Sequence, residues 1–489
     1  MHTSIVGRKE EISVLQSFVS SDQAEFLAIY GRRRIGKTFL IRTFFEEMEN
    51  IIFFNATGTK DGTISEQIKH FTQNIGHSFF ANIMPKLEKN WDETFAMLTN
   101  AINLIAPDKK IVIFLDELPW MATRKSKLLQ SLDYHWNQYW SRNKHIKLIV
   151  CGSSASWIIN KIINNKGGLH NRITKKIQLL PFDLADTKKF LKSKGINLNE
   201  EQITQIYMVT GGIPYYLTAV NKGQSAAQII ENLAFKQNSL LLGEFDNLFS
   251  SLFDDAAPYI ELLEIISKSH YGLSQENIIK KSKLSTKGGR IKQRLKELKE
   301  TGFILGFKPY KHKRKGVYYR IIDEYTLFYF HWLEPIKDSL HEMSLEKGYW
   351  LGIQNTPAWH SWTGYAFEAI CYKHIHQIRK KLDIPVTSIT TSWRYVPIKK
   401  SIEDGAQIDL LFDRSDGAIT ICEIKYSVKP FVINKQYAKN LLNKGAVFEK
   451  ISRIKKQQFI AIIASNGIQT NLYSDDLISN VVTLKDLFR

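Results

Sequence analysis

Eight residues, GRRRIGKT from Gly31 to Thr38, constrain the fold more than any other stretch of this chain. They follow an apolar run, Phe26 to Tyr30, and lead into the amphipathic FLIRTFF. The spacing G-x-x-x-x-G-K-T is the Walker A pattern, a loop whose backbone N–H groups wrap a chain of phosphates. Such a loop works between a buried strand and the N-terminus of a helix, where unpaired N–H groups and the helix dipole both favour negative charge. Gly31, Arg32, Arg33, Arg34, Ile35 and Gly36 form the expected cradle, Lys37 reaches the outer phosphates, and Thr38 offers a hydroxyl to Mg2+. An α/β fold is therefore expected, with ATP and Mg2+ as cofactors. A basic turn before a helix is the plainer alternative, and the strand-to-helix context argues against it.

A second apolar strand, IVIFLDELPW, ends in Asp116 and Glu117. Asp116 is placed to hold Mg2+ through water and Glu117 to polarise an attacking water, a pairing that favours hydrolysis over transfer to a small molecule. A third strand, IKLIVCGSSASW, ends in Ser153 and Ser154. A hydroxyl there can sense a γ-phosphate or serve only as a turn residue, and both readings are open.

The segments VGRKEE, GRRRIGKT, FLDELPW, CGSSASW, GGLHNR and GGIPYYL occur in this order. Over residues 1 to 335 the chain resembles the archaeal-type ATPases, relatives of the AAA+ and STAND ATPases. The resemblance implies that Gly7 and Arg8 lie near the adenine and that Pro214 belongs to a small helical lid packing near the base. It also implies a homo-oligomer in which Arg172 reaches a neighbour's γ-phosphate, although a surface arginine in a loop is an open alternative. The expected divisions are a P-loop ATPase core at 1–182, a helical lid at 183–250, a winged helix-turn-helix at 251–335 and a further α/β domain at 336–489.

Charge adds a partner. The 489 residues carry 67 lysines and arginines against 48 acids, a net charge of +19 that suits a polyanion. Between Ala256 and Arg320 stand 16 basic and 5 acidic residues. That segment reads as helix, helix, a third helix KGGRIKQRLKELKETGF, then a hairpin ILGFKPYKHKRKGVYYRII. Ile291, Leu295 and Leu298 make the third helix's apolar stripe, leaving Arg290, Lys292 and Arg294 for a nucleic acid, DNA foremost. Lys311, Lys313, Arg314 and Lys315 on the wing would meet phosphates. A winged helix used only for packing is the alternative. Three scattered cysteines exclude a zinc or disulfide framework. The N-terminus lacks an apolar signal core and no apolar run nears the ~20 residues of a membrane helix, so a cytoplasmic protein without a membrane partner is expected.

The last third turns on QIDLLFDRSDGAITICEIK, two strands with a turn at Ser415, Asp416 and Gly417. With Gly417 left-handed, Arg414 pairs with Ala418 and Asp409 comes opposite Glu423. Opposed carboxylates repel, so a positive charge should sit with them, and a divalent metal would serve. Lys425 lies two residues along the same face. These residues resemble the PD-(D/E)xK nucleases, with Ile408 where that name has proline. The resemblance implies Asp409 and Glu423 as ligands of Mg2+ or Mn2+, Lys425 as catalytic lysine and Glu368, on the helix WTGYAFEAICYKHIHQI, as an auxiliary acid. A cross-strand salt bridge is the plainer alternative. The readings that result are an ATP-hydrolysing nuclease in defence or mobile-element biology, a STAND-like switch controlling an effector, or a DNA-binding ATPase regulator that does not cut.

Overall fold

The computed structural model describes residues 5–46, 48–105, 109–123, 125–164, 171–284, 288–311, 316–342, 348–397 and 404–489. They fall into two compact units, Met1–Pro181 and Phe182–Arg489.

In the first unit, helix α1 (Lys9–Ser20) precedes a sheet of β1 (Glu25–Tyr30), β2 (Ile51–Thr57), β3 (Lys110–Asp116), β4 (Ile146–Gly152) and β5 (Lys175–Gln178). Every pairing is parallel, in the order β2-β3-β4-β1-β5. All seven residues of β4 are buried, as in a parallel strand covered on both faces, and its one charged residue, Lys147, is accommodated by donating from Nζ to Ser21 O at 2.9 Å. Helix α2 (Lys37–Glu46) starts where the glycine-rich loop ends. The helices Ile64–Phe79, Trp91–Asn103 and Leu128–Gln138 seat Phe71, Phe95, Leu98 and Trp136 against Phe26, Phe54, Ile113 and Leu148 of the sheet. Thr63 and Glu66 close a capping box at the first of these helices, and Asn90 caps the second. Burying such side chains contributes about 1.5–3 kcal/mol each, enough to hold the loop's flanking elements rigid. This is the α/β fold with a parallel sheet that a P-loop core requires.

The second unit opens with helices Leu184–Ser193, Glu200–Thr210, Pro214–Thr218, Ala226–Ala234 and Glu244–Leu252. Helices Ala257–Ser267, Gln275–Lys281 and α3 (Gly288–Glu300) follow, with Ser274 capping the second by accepting from Asn277 N at 3.2 Å. Around them lies an antiparallel sheet of β6 (Leu273–Ser274), β7 (Ile304–Phe307) and β8 (Tyr318–Ile321), ordered β6-β8-β7. Ile291, Leu295 and Leu298 are buried, as the stripe predicts.

Helix α4 (Pro357–Lys373) leads to a mixed sheet of β9 (Ile389–Tyr395), β10 (Ala406–Asp413) and β11 (Ala418–Lys425), then β13 (Gln457–Ala464) and β15 (Ile478–Thr483), ordered β15-β13-β11-β10-β9. The short β12 (Phe431–Val432) and β14 (Ile468–Gln469) pair with each other. Strands β9, β10 and β11 are antiparallel, whereas β11, β13 and β15 are parallel. A parallel step needs a crossover, and α5 (Lys435–Ser452) supplies it between β11 and β13. Val447 and Phe448 of α5 pack on Ile419, Ile421, Ile408 and Trp393. Gly417 takes φ 83° and Arg414 N donates to Ala418 O at 3.0 Å, so the turn sets the expected register: Leu410 opposes Cys422, with Asp409 and Glu423 one step beyond.

Candidate functional sites

The loop after β1 is shaped by three left-handed residues. Gly31 has φ 149°, and a Cβ there would lie 2.3 Å from Leu179 O, so no larger residue fits. Gly36 has φ 88° and Arg34 φ 70°. Arg8 braces the loop, donating from Nη2 to Ile35 O at 3.2 Å and from Nη1 to Leu180 O at 2.7 Å. Arg32 and Ile35 are buried within the loop, while Arg33 and Arg34 are half-buried. The Lys37 ammonium donates to Gly31 O at 2.9 Å and Arg32 O at 3.0 Å, which holds it inside the cradle.

Strand β4 lies between β1 and β3, yet the start of α2 and the end of β3 meet through side chains. Thr38 Oγ1 donates to Asp116 Oδ2 at 2.8 Å, and Asp116 Oδ1 accepts from Glu117 N at 3.0 Å. A hydroxyl beside a buried carboxylate at a helix N-terminus is the oxygen donor set that Mg2+ takes together with phosphate, so the residues fit that ion. Glu117 sits in the left-handed region at φ 47°. Its Oε2 accepts from Ser153 N at 3.0 Å and from Ser153 Oγ at 2.9 Å. Sequence pattern placed Ser153 at a strand end; its grip on Glu117 is visible only in three dimensions. Arg172 is exposed in the turn before β5. Pro214 lies in the second unit, at the first position of its short helix, where its fixed φ suits a helix start.

The profile of an ATPase domain found predominantly in Archaea matches residues 5–220. Those residues hold an archaeal-type ATPase domain. An uncharacterized protein of Methanocaldococcus jannaschii is similar to the chain at 26% identity over 433 residues, 86% of this chain and 87% of that one. An uncharacterized ATP-binding protein of the same organism is 23% identical over 252 residues, covering 46% of this chain and 72% of its own length. Among solved structures, a Walker-type ATPase of Pyrococcus abyssi is similar at a TM-score of 0.47 and 19% identity, over 67% of this chain and 96% of the other. The match to an ATPase domain supports ATP as a ligand of residues 5–220.

A second constellation lies in the mixed sheet. Asp409 is 8% exposed and Glu423 is 1% exposed. Asp409 Oδ2 accepts from Ile424 N at 3.1 Å and Oδ1 from Gln407 Nε2 at 3.2 Å. Glu423 Oε1 accepts from Lys444 Nζ at 2.6 Å, and Oε2 from Tyr437 Oη at 3.2 Å with Lys425 Nζ at 3.7 Å. The positive charge expected beside the opposed acids is thus present as Lys444 of α5, a residue the sequence did not single out. Tyr437 and Lys444 are seven residues apart on one helix, two turns that share a face, which brings both to Glu423. Burial, then the charge of Asp409, pushes the Glu423 carboxyl upward against the pull of Lys444 and Lys425.

Glu368 of α4 lies within electrostatic reach of this group. Burial first and Asp409 second push its carboxyl up to about 8, opposed by Arg320 and Lys425. Among the described residues no three His, Cys, Asp or Glu side chains form a ready metal cage. Mg2+ and Mn2+ need less: one or two carboxylates, with water and a substrate phosphate completing the shell. The hard oxygen donors of Asp409 and Glu423 fit that requirement, with Lys444 as the cation already in place.

The basic middle region differs from its expected pattern at two points. Arg290 and Lys292 are exposed on α3, but Arg294 is only 15% exposed, 3.8 Å from Asp255 and over the ring of Tyr259. Its cation is spent on neighbours, so it does not face solvent with the other two. Lys311 donates to Ser452 O at 3.1 Å instead of standing clear on a wing. Lys313, Arg314 and Lys315 lie outside the described residues.

Proposed function

We propose that the chain is an ATP-hydrolysing, nucleic-acid-binding protein whose C-terminal sheet is a divalent-metal nuclease of PD-(D/E)xK type, serving defence against foreign DNA or mobile-element biology. The observation that carries the nuclease reading is the opposition of two buried acids, Asp409 and Glu423, across the β10–β11 hairpin, with Lys425 at 3.7 Å from Glu423. Two acids so deeply buried are costly to ionise, and a purely structural salt bridge would need only one of them. In this reading Asp409 and Glu423 hold Mg2+ or Mn2+, and Lys425 orients the attacking water. The bound ion supplies Lewis-acid polarisation of the scissile phosphate. In the ATPase domain, Lys37 and the loop N–H groups hold the outer phosphates, Thr38 and Asp116 hold Mg2+, and Glu117 orients water toward the γ-phosphate. The helices before and including α3, with the β6-β8-β7 sheet, are consistent with a winged helix that touches DNA through Arg290 and Lys292.

The test incubates the purified protein with single- and double-stranded DNA and RNA, with and without ATP, in Mg2+ or Mn2+. Cutting should require metal, vanish in Asp409→Ala and Lys425→Ala, and leave ATP turnover intact in both. Absence of cutting with every nucleotide and substrate, together with no Asp409-dependent metal binding, would replace the nuclease with a DNA-binding regulator. A second reading, a nucleotide switch of STAND type, is favoured by one feature: Glu117 and Glu423 are each held by an internal partner, Ser153 and Lys444. It predicts that cutting, once found, depends on ATP over ADP.

A further inference from the structure

We infer that Arg320, a residue of the basic middle region, positions the carboxylate site of the C-terminal sheet, so that strand β8 completes a site it does not line. The inference rests on the nuclease reading. Arg320 is 5% exposed, and its guanidinium lies 3.9 Å from the ring centroid of Phe307 and 4.4 Å from that of Tyr372. Nη1 donates to Tyr372 Oη, and Nη2 donates to Ser392 Oγ at 2.7 Å. Tyr372 Oη in turn donates to the backbone oxygen of Asp409 at 2.7 Å.

The place of that last bond explains the chain of contacts. The pairing of β10 with β9 slips between Ile408 and Leu411, so Asp409 sits in a bulge where the regular ladder is broken. A bulge re-aims a side chain and leaves a carbonyl without its ladder partner. Tyr372 takes that carbonyl from α4, while Ser392 lies on β9 at the other side of the slip. Arg320 bridges the two. Only a planar fork reaches both partners from between two aromatic faces, and a lysine would reach one. The desolvation of this cation is offset in part by its bonds to Tyr372 and Ser392 and by the ring faces of Phe307 and Tyr372.

Full-length Arg320→Ala, Arg320→Lys, Tyr372→Phe and Asp409→Ala proteins test the idea by metal titration of DNA cutting and by calorimetric Mn2+ binding. A lost supporting partner weakens metal affinity by ~10–100-fold, so R320A should need that much more metal for half-maximal cutting while its rate at saturating metal changes far less. R320K should recover part of the affinity, and Y372F should shift in the same direction by a smaller factor. ATP turnover should not change in any of them. A wild-type metal titration in R320A would overturn the inference; if R320A loses its cooperative unfolding transition, a wild-type titration in Y372F would do so. Absence of Asp409-dependent Mn2+ binding in the wild type removes the nuclease reading and this inference together, whereas binding that ignores Arg320 removes the inference alone.

Discussion

Glu117 and Glu368 are both carboxylates held in unusual surroundings, and each yields a measurable expectation. Glu117, left-handed and gripped by Ser153, is the group whose removal should separate binding from turnover. Lys37→Ala should lose ATP binding, whereas Glu117→Gln should keep it and slow hydrolysis by roughly 10²–10⁴-fold, the usual contribution of a positioned base. Isothermal titration with ATP and a phosphate-release assay check both, and unimpaired release by Glu117→Gln would remove it from the reaction. Glu368 bears on pH. Its folded-state carboxyl titrates at about 8 against an ordinary 4.5, so the folded protein holds the proton more tightly than the unfolded chain. Stability from this group is present below 4.5 and is lost as pH rises toward 8. Glu368→Gln cannot ionise, so in EDTA it should match the wild type near pH 4.5 and exceed it by a few kcal/mol, to order of magnitude, at pH 9. Thermal melts across that range check the sign: a gap that stays constant with pH would mean that Glu368 is not the titrating group. Added Mn2+ should narrow the gap by giving the ionised carboxylate a partner.

At the level of elements, α3 separates exposed from committed cations. Replacing Arg290 and Lys292 together with alanine should lower the slope of log affinity against log salt for duplex DNA by about 2, one counterion for each lost phosphate contact. Arg294→Ala should leave the slope almost unchanged, because Asp255 and Tyr259 already occupy that guanidinium. Fluorescence anisotropy over a salt series decides between these outcomes, and an equal drop for all three would return Arg294 to the binding face. The same helix shows what the sequence could and could not say. Its apolar stripe is a local periodicity, and it was legible. The partners of Arg294 come from a segment some forty residues away, beyond the reach of periodicity. Likewise the Walker loop and the Gly417 turn are set by neighbours in the chain, so both were readable, and the register of β10 and β11 followed from the turn. Lys444 was not, because a lysine on a helix ordinarily belongs to a solvated face, and only the packing of α5 on β11 turns it inward. In the sequence Arg320 is one more positive charge in a basic stretch, whereas in the fold that charge is buried between rings.

For the molecule as a whole, a homo-oligomer of the kind that the ATPase resemblance implies makes Arg172 a test. If it serves a neighbouring copy, Arg172→Ala should keep ATP affinity and lose turnover, and mixing it with Lys37→Ala should restore part of the rate, since each supplies what the other lacks. Turnover per chain that is constant on dilution to monomers would refute the arrangement. The second unit carries a different consequence, which concerns solubility. Strand β9 is the outer strand of its sheet, and part of its free side is covered from the β7–β8 connection, where Tyr310 N donates to Ser392 O at 3.0 Å and Thr391 Oγ1 donates to Lys308 O at 2.6 Å. A fragment beginning at residue 336 would strip that cover and bare a row of amide donors and acceptors beside Ile389 and Val396, 62% and 65% exposed. Bare edges recruit strands from other copies, so such a fragment should precipitate or fibrillise where one beginning at residue 182 stays dispersed.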